Sequence, residues 1–194
     1  MNRFFQIVLI VSALGFSWLG MMAIHELGHV LAAWTSGGVV EHVDLPPLGL
    51  SHTRLAANPC PLWVTWGGPV LGCLIPLALL GIVRIAAREY AYLAAFFAGF
   101  CLIANGAYLA GGAVYGGNTL DDGAVIINNG GALWQLLLFA AITVPAGLWM
   151  LNGLGQHFGL DNEQNPGRVD HKAAIGTAVA LVAVIVIELL ATGQ

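Results

Sequence analysis

The sequence predicts an all-α polytopic membrane protein, and three observations carry that prediction. Hydrophobic residues make up 58% of the 194 and charged residues only 8%. A water-soluble domain carries about 25% charge, so this chain lacks the polar surface to cover a globule in water. The apolar residues fall into five runs, each long enough to cross the ~30 Å hydrocarbon core of a bilayer as a helix. Finally, the basic residues divide unevenly among the segments between the runs.

The first run, about Arg3 to Thr35, reads as one helix. At 1.5 Å per residue it spans roughly 48 Å, so it tilts or projects beyond the core. Its start has the flavour of a signal peptide, but the run is too long and no small-x-small cleavage site precedes His25. Ser36-Gly37-Gly38 ends it. Val39 to Leu45 alternates loosely, which predicts a short strand or hairpin bounded by Pro46-Pro47 and Asn58-Pro59. Leu62 to Ile85 is the second span. Trp63 and Trp66 open it at an interface, Gly67-Gly68-Pro69 and Gly72 let helices approach closely, and Arg84 and Arg88 close it.

Tyr90 to Val114 is the third span and contains Asn105 and Gly111-Gly112. Tyr115 to Gly131 reads as a polar, Gly-rich loop carrying Asp121-Asp122-Gly123. Ala132 to Leu154 is the fourth span, with a kink predicted at Pro145. A polar loop with Asp161, Glu163, Arg168 and Asp170 leads to the fifth span, Ala173 to Ala191, whose Glu188 is expected at the interface. The organisation predicted is one membrane-embedded domain over residues 1–194, with a core of about 22–127 and two further spans at 132–154 and 173–191. The lipid bilayer is the first implied partner.

With the amino terminus inside, the inner segments hold Arg3, Arg84, Arg88, Arg168 and Lys172, and the outer ones only Arg54. That bias predicts an N-in, C-out orientation. A net charge of −4 with no basic run argues against nucleic acid as a partner. Cys60, Cys73 and Cys101 lack C-x-x-C spacing, and the latter two read as small packing residues inside spans. Nothing in the sequence specifies an oligomeric state.

The chemistry concentrates in His25-Glu26-Leu27-Gly28-His29. On a helix, residues four apart share a face, so the two imidazoles can bind one Zn²⁺ through neutral nitrogens. Glu26, offset by about 100°, is placed to act as general base toward a water at the ion. Catalytic zinc takes three protein ligands. The orientation puts His157 and His171 on the wrong side, and leaves His42, His52, Glu41, Asp44, Asp121 and Asp122 as candidates. Asp122 is preferred, because Gly123 after it lets the backbone turn sharply; Asp121 is the alternative. A carboxylate beside an apolar span needs a partner, and a cation supplies one. The Gly-rich stretches around Gly67, Gly111, Gly116 and Gly130 could open a water-filled cavity for hydrolysis. An edge of the predicted strand could hold a substrate in extended form.

From about Met22 to Ile127 the chain resembles the site-2 protease family of intramembrane zinc metalloproteases, particularly its small single-domain members. The matching pieces are His25-Glu26-Leu27-Gly28-His29, then Gly67-Gly68-Pro69-Val70-Leu71-Gly72, similar to the family's A-G-P segment, and Asp122-Gly123, similar to its D-G ligand motif. Asn105 is similar in its place to a family Asn upstream of that Asp. The family's N-x-x-P-x-x-D-G appears here as Asn118-Thr119-Leu120-Asp121-Asp122-Gly123, without the Pro. The resemblance implies one Zn²⁺ per chain held by His25, His29 and Asp122, Glu26 as base, and hydrolysis of a peptide bond in or near a transmembrane segment of a membrane-protein substrate. The alternative expectation is a non-proteolytic zinc-binding membrane protein or a partner-binding subunit.

Overall fold

The computed structural model describes residues 2–47, 49–115, 121–160 and 169–192. Gly116, Asn118, Thr119, Leu120, Asp161, Glu163 and Arg168, singled out above, lie outside the described residues. Among those described, α1 (Asn2–Thr35) leads into the strands β1 (Val39–Asp44) and β2 (His52–Ala57). Then come α2 (Pro61–Ala86), α3 (Ala91–Tyr115), a short α4 (Asp122–Asn128), α5 (Leu133–Leu151) and α6 (His171–Thr192). Five of these helices are long and apolar enough to cross a membrane. The protein has an all-α polytopic membrane fold with one small antiparallel hairpin.

Neighbouring helices pack in the order α6, α1, α2, α3, α5, and α1 also touches α3. The sequence dictates which faces turn inward. On α1, Phe4, Ile7, Val11, Leu14 and Trp18 recur at three- and four-residue spacing and are exposed, as suits a face in lipid. The opposite face buries Leu9, Ser12, Ala13 and Ser17. Ser12 Oγ and Thr177 Oγ1, 2.7 Å apart, join α1 to α6, so small polar residues serve as contacts between helices rather than as solvated surface. At the start of α1, Gln6 donates to the carbonyls of Phe158 and Gly159.

One expectation is corrected. The segment 115–131 is not loop throughout: Asp121 caps α4 by accepting from the Gly123 N–H at 2.9 Å, and a helix of one and a half to two turns follows. Glu188, near the end of α6, is turned into the bundle and buried, 2% exposed. It stands two helical turns from Leu181, whose side chain lies against Gly15 of α1, so both residues face the bundle. Pro145 lies within α5, which runs through it, as α2 runs through Pro69 and Pro76. Cys73 and Cys101 are buried among packed helices and Cys60 is exposed.

The hairpin pairs Val39 with Ala57 and Asp44 with His52, with register shifts near Val40. Val40 and Leu55 pack on Ala32, Ala33 and Val64. That small cluster seats the hairpin on the ends of α1 and α2 nearest His29.

Candidate metal centre

Close helix approach builds the floor of the site. A side chain at Gly28 would run into the Gly67 backbone, and one at Gly68 would run into the Nε2 atoms of both His29 and His25. Glycine at these positions lets α2 press its backbone against the histidine face of α1. His25, Glu26 and His29 are all buried there.

The hydrogen bonds then fix each imidazole. Asn105 donates through Nδ2 to the Cys101 carbonyl, 2.9 Å away and one turn back on α3. Its Oδ1 is left to accept from His25 Nδ1 at 2.7 Å. His29 Nδ1 donates to the Val64 carbonyl on α2 at 2.8 Å. Both acceptors are oxygens that cannot donate, so each Nδ1 carries a proton, and a neutral ring presents a lone pair at Nε2.

Those lone pairs converge. The two Nε2 atoms are 3.1 Å apart. Asp122 Oδ2 lies 2.9 Å from His25 Nε2 and 3.3 Å from His29 Nε2. Two imidazole nitrogens and a carboxylate oxygen at such separations repel unless a proton or a metal ion lies among them. A tetrahedral ion with ~2.0–2.1 Å bonds sets its ligand atoms about 3.3 Å apart, close to what the three atoms show. Among the described residues this is the group of His, Cys, Asp and Glu side chains with the spacing for one ion. The donor set, two imidazoles and a carboxylate, fits zinc.

Asp122 reaches the histidines because α4 begins with it. Burial pushes its carboxyl up, but where the imidazoles are protonated at Nε2 their hydrogen bonds and positive charge outweigh burial and hold it below the usual carboxylate range. Asp121, weighed as the alternative ligand, is turned to the Gly123 N–H instead. Burial pushes its carboxyl up. The Asp122 N–H donates to the Tyr108 hydroxyl at 3.4 Å, and the Tyr108 ring meets His25 edge-on at 5.8 Å between centroids.

Glu26 points out of the histidine pair toward the hairpin. Its Oε1 accepts from Ser51 Oγ at 2.7 Å and its Oε2 from Thr53 Oγ1 at 2.6 Å. A cavity of about 880 Å³ opens over this group, with Trp18, Met22, Leu50 and Tyr108 among its walls. Gly67, Gly111 and Gly130 do not line it; side chains of α1, α3 and the hairpin make the space instead.

The other candidates are engaged elsewhere. His42 and His52 lie 2.8 and 2.9 Å from the two oxygens of Asp44, forming their own cluster on the hairpin. Glu41 lines the cavity without joining the histidine group. His157 stacks on Tyr92 and His171 on Phe5. Sequence reading did not foresee the roles of Val64, Ser51, Thr53 or Tyr108. Backbone carbonyls and single hydroxyls in a loop form no pattern, whereas Asn105, an amide in an apolar span, did stand out. Compared with protein-family models, curated proteins and solved structures, the chain matches none of them.

Proposed function

We propose that the protein is a zinc-dependent intramembrane endopeptidase of the site-2 protease kind. The observation that carries this reading is the convergence of two proton-fixed imidazoles and one carboxylate with an acidic side chain beside them. His25, His29 and Asp122 would hold one Zn²⁺. When bound, zinc supplies Lewis acidity, polarising the scissile carbonyl and acidifying the attacking water toward a pKa of ~7.

The remaining work falls to the chain. Glu26 accepts the proton of the attacking water and passes it to the leaving amine. Asn105 and Val64 keep the imidazoles in the tautomer that leaves Nε2 free. The cavity admits water at membrane depth while its apolar walls receive a substrate span. A helical substrate hides its carbonyls in hydrogen bonds, so it must unwind locally, and the open edges of the β1–β2 hairpin offer an extended segment new backbone partners. With the amino terminus inside, the site faces the outer side of the membrane.

The test measures zinc in the purified full chain, together with cleavage of a panel of single-span membrane proteins, for wild type and Glu26→Gln. One zinc per chain in both, with cleavage by wild type alone, supports the reading. A wild type prepared without chelator that carries no zinc overturns it. Zinc in both with cleavage in neither favours the non-proteolytic metal-binding alternative.

A further inference from the structure

The hydrogen bonds to Glu26 come from an element that sequence reading connected only with substrate. Glu26 is 3% exposed, and a buried carboxylate is costly unless its oxygens are bonded. Helix α1 supplies neither partner. Both come from the segment entering β2: Ser51 Oγ donates to Oε1 at 2.7 Å and Thr53 Oγ1 to Oε2 at 2.6 Å. These lengths are those of charge-assisted O–H···O⁻ bonds. One donor on each oxygen fixes the carboxylate plane, as a single donor would not. A carboxylate has about four lone-pair positions, so the two bonds leave room to accept from a water in the cavity.

Building on the endopeptidase reading, we infer that Ser51 and Thr53 are positioning residues for Glu26: two hydroxyls of the hairpin, rather than the helix that carries the base, set where its oxygens lie. The same hairpin is seated by Val40 and Leu55 on α1 and α2, so its hold on the base is anchored to the helices that carry the histidines. It follows that the base is aligned only while the start of β2 is docked. Losing the hydroxyls disturbs proton transfer more than substrate binding, since misplacement of a reacting group by about 1 Å can cost on the order of 10²-fold in rate.

The experiment compares wild type, the Ser51→Ala/Thr53→Val double variant and the hydroxyl-retaining Ser51→Thr/Thr53→Ser double variant, in the full chain. Zinc content, kcat and KM are measured on one single-span substrate. The expected result is a fall in kcat of about 10- to 100-fold for the first pair, with KM within about twofold, zinc retained, and the second pair back within about threefold of wild type. An unchanged kcat overturns the inference, as does a loss of zinc in step with kcat or a failure of the hydroxyl-retaining pair to rescue.

A second measurement needs no cleavage. Amide hydrogen exchange is followed for residues 52–57 in wild type and Glu26→Ala, with α5 as internal reference. Exchange at least about tenfold faster in the hairpin, with α5 unchanged, supports a clasp between carboxylate and hydroxyls. Equal exchange in the two proteins overturns it. If wild type cleaves nothing, the endopeptidase reading fails on that result, while the exchange comparison still decides whether Glu26 and the hairpin hold each other.

Discussion

Histidines sit at both ends of this bundle, and the two ends use them in opposite ways. At one end His25 and His29 are buried, each Nδ1 is tied to a fixed oxygen, and the Nε2 atoms converge on Asp122. At the other end His157 and His171 are exposed and lie flat against rings: His157 on Tyr92 with centroids 4.6 Å apart, His171 on Phe5 at 4.2 Å. They sit over an apolar cluster built on Leu9, Ala13, Phe158 and Ala174, and His157 also borders a pocket with Arg84, Arg88 and Glu89. The difference teaches that a histidine's chemistry is set by what holds its second nitrogen. An imidazole stacked on a ring is packing. One whose Nδ1 proton is committed to an oxygen has only one nitrogen left, and that nitrogen is aimed.

Breaking the pair on each side in turn gives the largest contrast. If zinc is held as proposed, His29→Ala removes one of its ligands and is expected to abolish stoichiometric zinc and to reduce cleavage by at least about 10³-fold, the scale of losing metal-assisted activation of water. His157→Ala leaves zinc and cleavage within about twofold, at a small cost from the lost contact with Tyr92. Metal analysis and a cleavage assay on the two variants check this; equal losses would erase the distinction between the ends. A finer cut leaves all three proposed ligands in place. Asn105→Ala frees the His25 Nδ1 proton from its acceptor and is expected to weaken zinc binding by about 10- to 100-fold. Competition with a chromophoric chelator reads that shift. No change would mean that the ring is oriented by packing alone.

The same contrast explains how much was legible beforehand. Regular spacing made His25, Glu26 and His29 readable, because helical periodicity converts a four-residue interval into one face. Hydropathy made the five spans readable, with ends that differ from the observed helices by a few residues. Asp122 was preferred for a sharp turn at the glycine after it, but Gly123 lies inside α4 without a positive φ, and it is that helix, not a turn, that carries Asp122 to the imidazoles. Asp121 followed by an acidic first turn and Ala-Val-Ile-Ile is a start signal, hidden within a stretch judged by its glycines. What stayed illegible are contacts that no sequence interval encodes: the Val64 carbonyl under His29, the hydroxyls of Ser51 and Thr53 on Glu26, and the inward turn of Glu188 beside Leu181. Each depends on which helix or strand comes to lie opposite, and that is settled by packing rather than by local pattern.

The smallest expected effect separates neighbours within the site rather than the two ends. Asp121 and Asp122 are adjacent carboxylates with different tasks. Asp121 accepts from the Gly123 N–H and begins α4, while Asp122 faces the imidazoles. If α4 serves to present Asp122, then weakening its cap acts on the metal only through the helix. Asp121→Asn keeps an acceptor oxygen at the cap and is expected to leave both stability and zinc close to wild type. Asp121→Ala removes the acceptor and costs about 1 kcal/mol locally, read as faster amide exchange in α4. Zinc affinity then falls by no more than about fivefold, the factor that 1 kcal/mol allows. A drop to no bound zinc in Asp121→Asn would instead make Asp121 the ligand. That outcome would require α4 to begin one residue earlier than it does here, with the Gly123 N–H released from its cap.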